Sequence, residues 1–157
     1  MIKDSGDRRE FSTGAVRDMG NKGRCDLMPL RVAARVRSLT GRIDTFLYDL
    51  GCFLETKNSE FLYMALDEFR KEAYSTDTET MLLEVSIHYE EGAKKYGENN
   101  WQKGLPLNCY IDSAVRHYLK WCRGDEDEPH ERAVVWNLMC CAWEVDHHKY
   151  ENEDTEN

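Results

Sequence analysis

The sequence predicts an all-α protein: an antiparallel helical bundle of about five to six helices with an irregular N-terminal arm. Three observations carry this. Long segments in the C-terminal half repeat apolar residues at 3-and-4 spacing. Their connections are short and rich in Gly, Pro and acidic residues. No stretch alternates cleanly enough for a strand. The 157 residues read as one helical domain over 1–150, a length that buries a core without staples, followed by a disordered acidic tail at 151–157.

Residues 1–29 form the arm, Gly- and charge-rich and closed by Pro29. Over residues 30–39, Val32, Val36 and Leu39 recur at helical spacing. Ile43, Phe46, Leu47 and Leu50, then Phe61, Leu62, Met64, Ala65, Leu66 and Phe69, suggest two further short helices, broken near Gly51 and around Lys57-Asn58-Ser59. The polar run Ser75-Thr76-Asp77-Thr78-Glu79 caps the next helix. That helix, residues 80–96, is the clearest in the chain, with Leu82, Val85, Tyr89, Ala93 and Tyr96 as its apolar stripe. Glu84, His88, Glu91 and Lys95 make a separate polar stripe. A second long helix spans residues 108–121, with Ile111, Val115, Tyr118 and Cys122 toward a core and Asp112 and Arg116 spaced for an i,i+4 pair. Acidic residues 125–128 before Pro129 start a third, running to about residue 145.

Composition excludes several function classes. No apolar run approaches a membrane span, and residues 1–9 lack a signal-peptide core. The net charge of −9 is uneven: residues 1–44 hold 10 Lys/Arg against 6 Asp/Glu (+4), the remainder 11 against 24 (−13). An acidic body repels a phosphate backbone, which argues against duplex nucleic acid but leaves room for a small phosphorylated ligand beside a basic arm or a divalent metal. The six cysteines contain no C-x-x-C pair and read as free thiols.

A bundle builds a site from side chains projecting inward off facing helices. Glu84, Glu91, Asp112 and Asp127 are the candidate metal ligands, since carboxylates from neighbouring helices suit Mg²⁺ or Mn²⁺. His88, His117 and His130 are the candidate catalytic residues, orienting water or a ligand. Tyr96, Asn100, Trp101 and Lys103 in the connecting loop place an aromatic face, an amide and a cation together, as a nucleobase and phosphate require. Arg17, Lys95, Arg116 and Asn137 complete the nucleotide-binding set. Each has a plainer role open to it: the stripes as solvated faces, Trp101 as a core anchor, His117 as a structural histidine, Asn137 as a partner of nearby backbone.

Residues 11–18 (Phe-Ser-Thr-Gly-Ala-Val-Arg-Asp) and Lys22-Gly23-Arg24-Cys25-Asp26-Leu27-Met28-Pro29 resemble the opening of phage and prophage proteins of the dATP/dGTP diphosphohydrolase-like family. The resemblance resumes at His88-Tyr89-Glu90-Glu91-Gly92-Ala93-Lys94-Lys95-Tyr96-Gly97, continues through Asn100-Trp101, Lys103-Gly104, Tyr110, Asp112-Ser113-Ala114 and Arg116-His117, and closes with Gly124, Asp127-Glu128, His130, Ala133 and Trp136-Asn137. It implies an all-α fold related to MazG-like nucleotide pyrophosphohydrolases, with metal-dependent conversion of dATP or dGTP to the monophosphate and pyrophosphate. It also implies a phage or prophage protein working in the host cytoplasm. Residues 39–80 then read as an insertion, a lid or an oligomer contact. The paired-Glu pattern of the MazG-like enzymes, E-E-x-x-E then E-x-x-D, is not intact here, so the metal residues above rest on stripe geometry. The alternative function is a non-catalytic phage protein that sequesters a signalling nucleotide. Homo-oligomerisation is expected, since short helices with an irregular arm complete their core against a partner.

Overall fold

The computed structural model describes residues 2–18, 20–38 and 41–148. Among them are six α-helices: α1 (Leu30–Val36), α2 (Thr45–Thr56), α3 (Glu60–Tyr74), α4 (Thr78–Tyr96), α5 (Leu107–Arg123) and α6 (His130–His148). The all-α prediction holds. The arm adds what the sequence did not predict, an antiparallel pair of three-residue strands, β1 (Arg8–Glu10) and β2 (Val16–Asp18), in the register Arg9 opposite Arg17. Phe11 and Ala15 at its turn are buried, so the arm is seated on the bundle.

Local chemistry sets the helix boundaries. Asp44 and Asp77 cap α2 and α4, accepting from the amides of Leu47 and Thr80, each at 3.0 Å; such caps contribute about 1 kcal/mol. Lys57 turns left-handed after α2, where the sequence shows a break. Gly124, at φ 89°, ends α5; without a Cβ it adopts that backbone freely.

Helix directions are set by which residues meet. Glu91 and Tyr89 of α4 reach Arg132 and Cys140 of α6. In α5, His117 meets His130, and Tyr110, two turns earlier, meets Trp136. Later residues of α6 therefore pair with earlier residues of α4 and α5, so α6 runs antiparallel to both. The α5–α6 interface is the most extensive in the fold.

Three sequence expectations need correcting. Gly51 does not break a helix but lies buried within α2, because a Cβ there would stand 2.9 Å from the Arg31 backbone nitrogen; its absence lets α1 pack closely. In α1, Val32 and Val36 point outward, and Leu30 and Ala34 are buried instead. Leu39, expected on the same stripe, lies outside the described residues. In α4, Leu82 is 51% exposed while His88 is buried. The inward face of α4 is thus part polar, and the reason lies in the cavity it borders.

α2 and α3, within residues 39–80, place Phe46, Phe53, Leu62 and Phe69 in the same buried core as α5 and α6. Phe46 stacks on Tyr118 of α5 at 4.1 Å between ring centres, a contact whose truncation costs about 3–5 kcal/mol. Among the described residues all six cysteines are free thiols, and no helix is long and apolar enough to cross a membrane. The tail at 151–157 lies outside the described residues.

Candidate functional site

A cavity of about 520 Å³ opens between the C-terminal half of α4, the 3-10 turn Asn100–Lys103, the middle of α5, the first turns of α6 and the arm. Its size lies within the usual range for small-molecule sites. Lys3, Arg17, Lys22, Lys95, Arg116 and Lys120 border it, against Asp18, Glu90, Glu98 and Glu128. In a chain of net charge −9, this wall is locally positive. Tyr89, Tyr96, Trp101 and Trp136 add aromatic surface.

The arm is fastened to the helices by polar clasps. Asn100 accepts from the Val16 amide at 2.8 Å and donates to the Val16 carbonyl at 2.9 Å, imitating a neighbouring strand. The Thr13 hydroxyl donates to the Gly104 carbonyl at 2.7 Å, and the Tyr96 hydroxyl accepts from the Asp18 amide at 3.2 Å. Arg17 then projects inward over the Tyr110 ring and donates to the Asn137 side-chain oxygen at 3.1 Å. Asn137 donates in turn to the Ala133 carbonyl at 2.8 Å. Its amide therefore does both things the sequence left open: it bonds neighbouring backbone and it aims a cation. Lys95 donates to the Lys3 carbonyl at 2.6 Å and stands 3.7 Å from Asp18. Burial opposes the charge on Asp18, but the Ser5 hydroxyl and amide and Lys22 hold its carboxyl well below the usual range.

The histidines occupy the wall between α4, α5 and α6. His88 is buried against Trp136, and its Nδ1 has no hydrogen-bond partner. Burial, then the charge of Arg132, lowers its pKa to about 4, so it is neutral near pH 7. His117 is held well below its ordinary value by burial and by His130. The Nδ1 atoms of His117 and His130 lie 2.9 Å apart, and His130 Nε2 lies 2.7 Å from Asp127. His130 is fully buried; it reaches the cavity only through His117.

The four candidate metal carboxylates are held by four different sets of partners. Glu84 accepts from the Tyr74 hydroxyl at 2.8 Å, toward α3. Glu91 pairs with Arg132 at 2.7 Å and accepts the Ile2 amide. Asp112 accepts from Arg116 and from the Cys25 amide, both at 2.6 Å. Asp127 pairs with Lys3 at 2.7 Å as well as with His130. Among the described residues, the donor groups within 4.8 Å of one another are His117, Glu128 and His130, and Asp125, Asp127 and His130. The oxygen-rich cluster expected from the stripes is replaced by one built around imidazole.

Of the nucleotide-binding set, Arg17, Lys95, Tyr96, Asn100, Trp101, Arg116 and Asn137 line the cavity, whereas Lys103 is exposed and outside its lining. Trp101 is anchor and wall at once, meeting Tyr89 and Trp143 edge-on while bordering the cavity. Sequence reasoning missed Lys22, Lys120, Glu128 and Trp136. Lys120 was findable, one turn beyond Arg116 on the same face. Glu128 and Trp136 fall in the blocks that carry the family resemblance, which is the signal that could have found them.

Fold and site together define a class: an all-α protein with a cavity suited to an anionic ligand that carries an aromatic group. The family is narrower. A family model described as dATP/dGTP diphosphohydrolase, N-terminal, matches residues 70–155, just over half of the chain, and the chain belongs to that family. The match spans α4, α5 and α6 and leaves the arm outside. Comparison with curated proteins and with solved structures finds no match.

Proposed function

We propose that the protein hydrolyses a purine deoxynucleoside triphosphate, dATP or dGTP, to the monophosphate and pyrophosphate. The observation that carries this is the concentration of six cations and two tryptophans around one cavity of an acidic chain. Arg17, Lys22, Lys95, Arg116 and Lys120 bind the phosphates, and Trp101 and Trp136 flank the base. His88, neutral and bordering the cavity, orients the attacking water toward phosphorus. The water oxygen bonds to the α-phosphorus, the bond to the bridging oxygen breaks, pyrophosphate leaves with that electron pair, and a proton passes to solvent. His117, Glu128 and His130 would hold a divalent ion, whose chemistry when bound is to neutralise phosphate charge. Incubation with dATP or dGTP and Mn²⁺ or Mg²⁺ should release monophosphate and pyrophosphate, identified by mass. Intact triphosphate under all these conditions removes the hydrolase reading.

A second reading has its own observation. Glu91, Asp112 and Asp127 are each paired with a cation, as suits a protein that sequesters a nucleotide without turnover. Binding that survives chelator, with the ligand recovered unchanged, favours it. Either activity fits a reducing cytoplasm, where six thiols stay free. The apolar residues Leu82, Leu83 and Ile87, exposed on α4, are the surface we assign to contact between copies, measurable as mass in solution by light scattering.

A further inference from the structure

We infer that His117, His130 and Glu128 form a binding site for one divalent ion of the Co²⁺-to-Zn²⁺ class, that Asp127 orients His130 rather than binding the ion, and that the site discriminates against Mg²⁺. The inference deepens the metal part of the hydrolase reading and takes its role, though not its geometry, from it.

The argument starts at His130. An ionised carboxylate can only accept, so the Asp127 oxygen 2.7 Å from Nε2 fixes the ring proton on that nitrogen. Nδ1 is left with a lone pair. This is the arrangement in which an outer carboxylate holds a metal-binding histidine in the required tautomer. The lone pair faces His117 Nδ1 at 2.9 Å. Two nitrogens each bonded at about 2.1 Å to one ion at a tetrahedral angle stand about 3.4 Å apart. An ion entering beside the N–N line would therefore replace this hydrogen bond with the rings moved apart by about 0.5 Å. In the ion-free state His117 donates its Nδ1 proton to His130; with the ion bound it carries that proton on Nε2, a change of tautomer without proton release.

Glu128 supplies the third donor, within 4.8 Å of both rings. It accepts the Lys3 amide at 2.8 Å and enters no ion pair among the described residues. The competing set is compensated: Asp125 is bonded twice by Arg123, and Asp127 is paired with Lys3. His117 and Glu128 both border the cavity, so the remaining coordination positions face the space where phosphate oxygens would enter. Imidazole nitrogens suit Co²⁺ and Zn²⁺, whereas Mg²⁺ prefers oxygen donors and keeps its waters.

The test uses the full chain, stripped with chelator and titrated with Co²⁺, whose visible absorption reports nitrogen ligation directly. The expected result is one Co²⁺ per chain, displaced by Zn²⁺ and retained against a hundredfold excess of Mg²⁺. Asp127→Asn and Glu128→Gln should each weaken Co²⁺ binding about 10–100-fold with unchanged helical circular dichroism, while Asp125→Asn stays within twofold. Absence of ligated Co²⁺, displacement by Mg²⁺, or equal weakening by Asp125→Asn and Asp127→Asn overturns the site. Co²⁺ binding without hydrolysis leaves the site standing and removes the hydrolase reading. Mg²⁺-supported hydrolysis with no Co²⁺ ligation does the reverse.

Discussion

The two walls of the cavity are built on different principles. The wall of α4, α5 and α6 is a helical frame held by apolar packing, and its histidines, tryptophans and Asn137 are positioned by rigid backbone. The opposite wall, the arm, has two three-residue strands and few buried apolar residues. It is held by side-chain hydrogen bonds to residues 78 or more positions away, and it contributes Arg17 and Lys22. An acidic helical domain, by this contrast, need not carry all of its own positive charge. The N-terminal arm lays Arg17 and Lys22 across it.

The largest effect is expected from Asn100→Ala, which cuts the arm from the frame. It leaves the amide and carbonyl of Val16 without their partners, and the expected loss is about 3 kcal/mol of stability in urea unfolding, at about 1–3 kcal/mol per orphaned buried group. A change below about 0.5 kcal/mol would show that the arm is not fastened there.

A pH experiment isolates the frame. His88 has a folded pKa of about 4 against an ordinary 6.5, so between those values the unfolded chain takes up a proton that the folded chain refuses. Stability should be level above pH 6.5 from this group and fall by about 3 kcal/mol as pH drops through that window. His88→Leu should flatten the slope; an unchanged slope assigns the loss to other groups.

Arg17→Ala tests whether the arm's charge serves the cavity. Nucleotide affinity should fall about tenfold or more, the worth of a charged hydrogen bond, with a cost of about 1–3 kcal/mol in unfolding from the buried Asn137 oxygen that loses its partner. The smallest effect belongs to Lys103→Ala, expected to leave affinity within about twofold because that side chain is in solvent. A large loss there would redraw the cavity's edge.

What could be read from the chain divides along the same line. The frame was legible: α4, α5 and α6 begin and end within a few residues of their expected limits, because apolar period, caps and Pro129 act locally. The strands were not, since Arg8-Arg9-Glu10 and Val16-Arg17-Asp18 carry no alternation and depend on Asn100, distant in sequence. Helical phase also misled on α4. It groups Leu82 with Val85 and Tyr89, yet the helix is rotated so that His88 faces the cavity. Phase likewise put Glu84 beside Glu91, but Glu84 sits toward α3 and Glu91 toward α6, and spacing along one helix cannot reveal which neighbour each side chain meets. Arg17, Lys95 and Arg116, in contrast, border one cavity, because the turns and helix faces that carry them converge.

The indoles have an optical consequence. Of four tryptophans, Trp101 and Trp136 border the cavity and Trp143 touches Trp101 at 5.0 Å, while Trp121 lies outside the cavity lining and packs edge-on against Phe69. Intrinsic emission should therefore come from two populations. A purine entering beside the first would quench three fluorophores and leave the fourth as an internal reference, so occupancy can be followed in real time without a label.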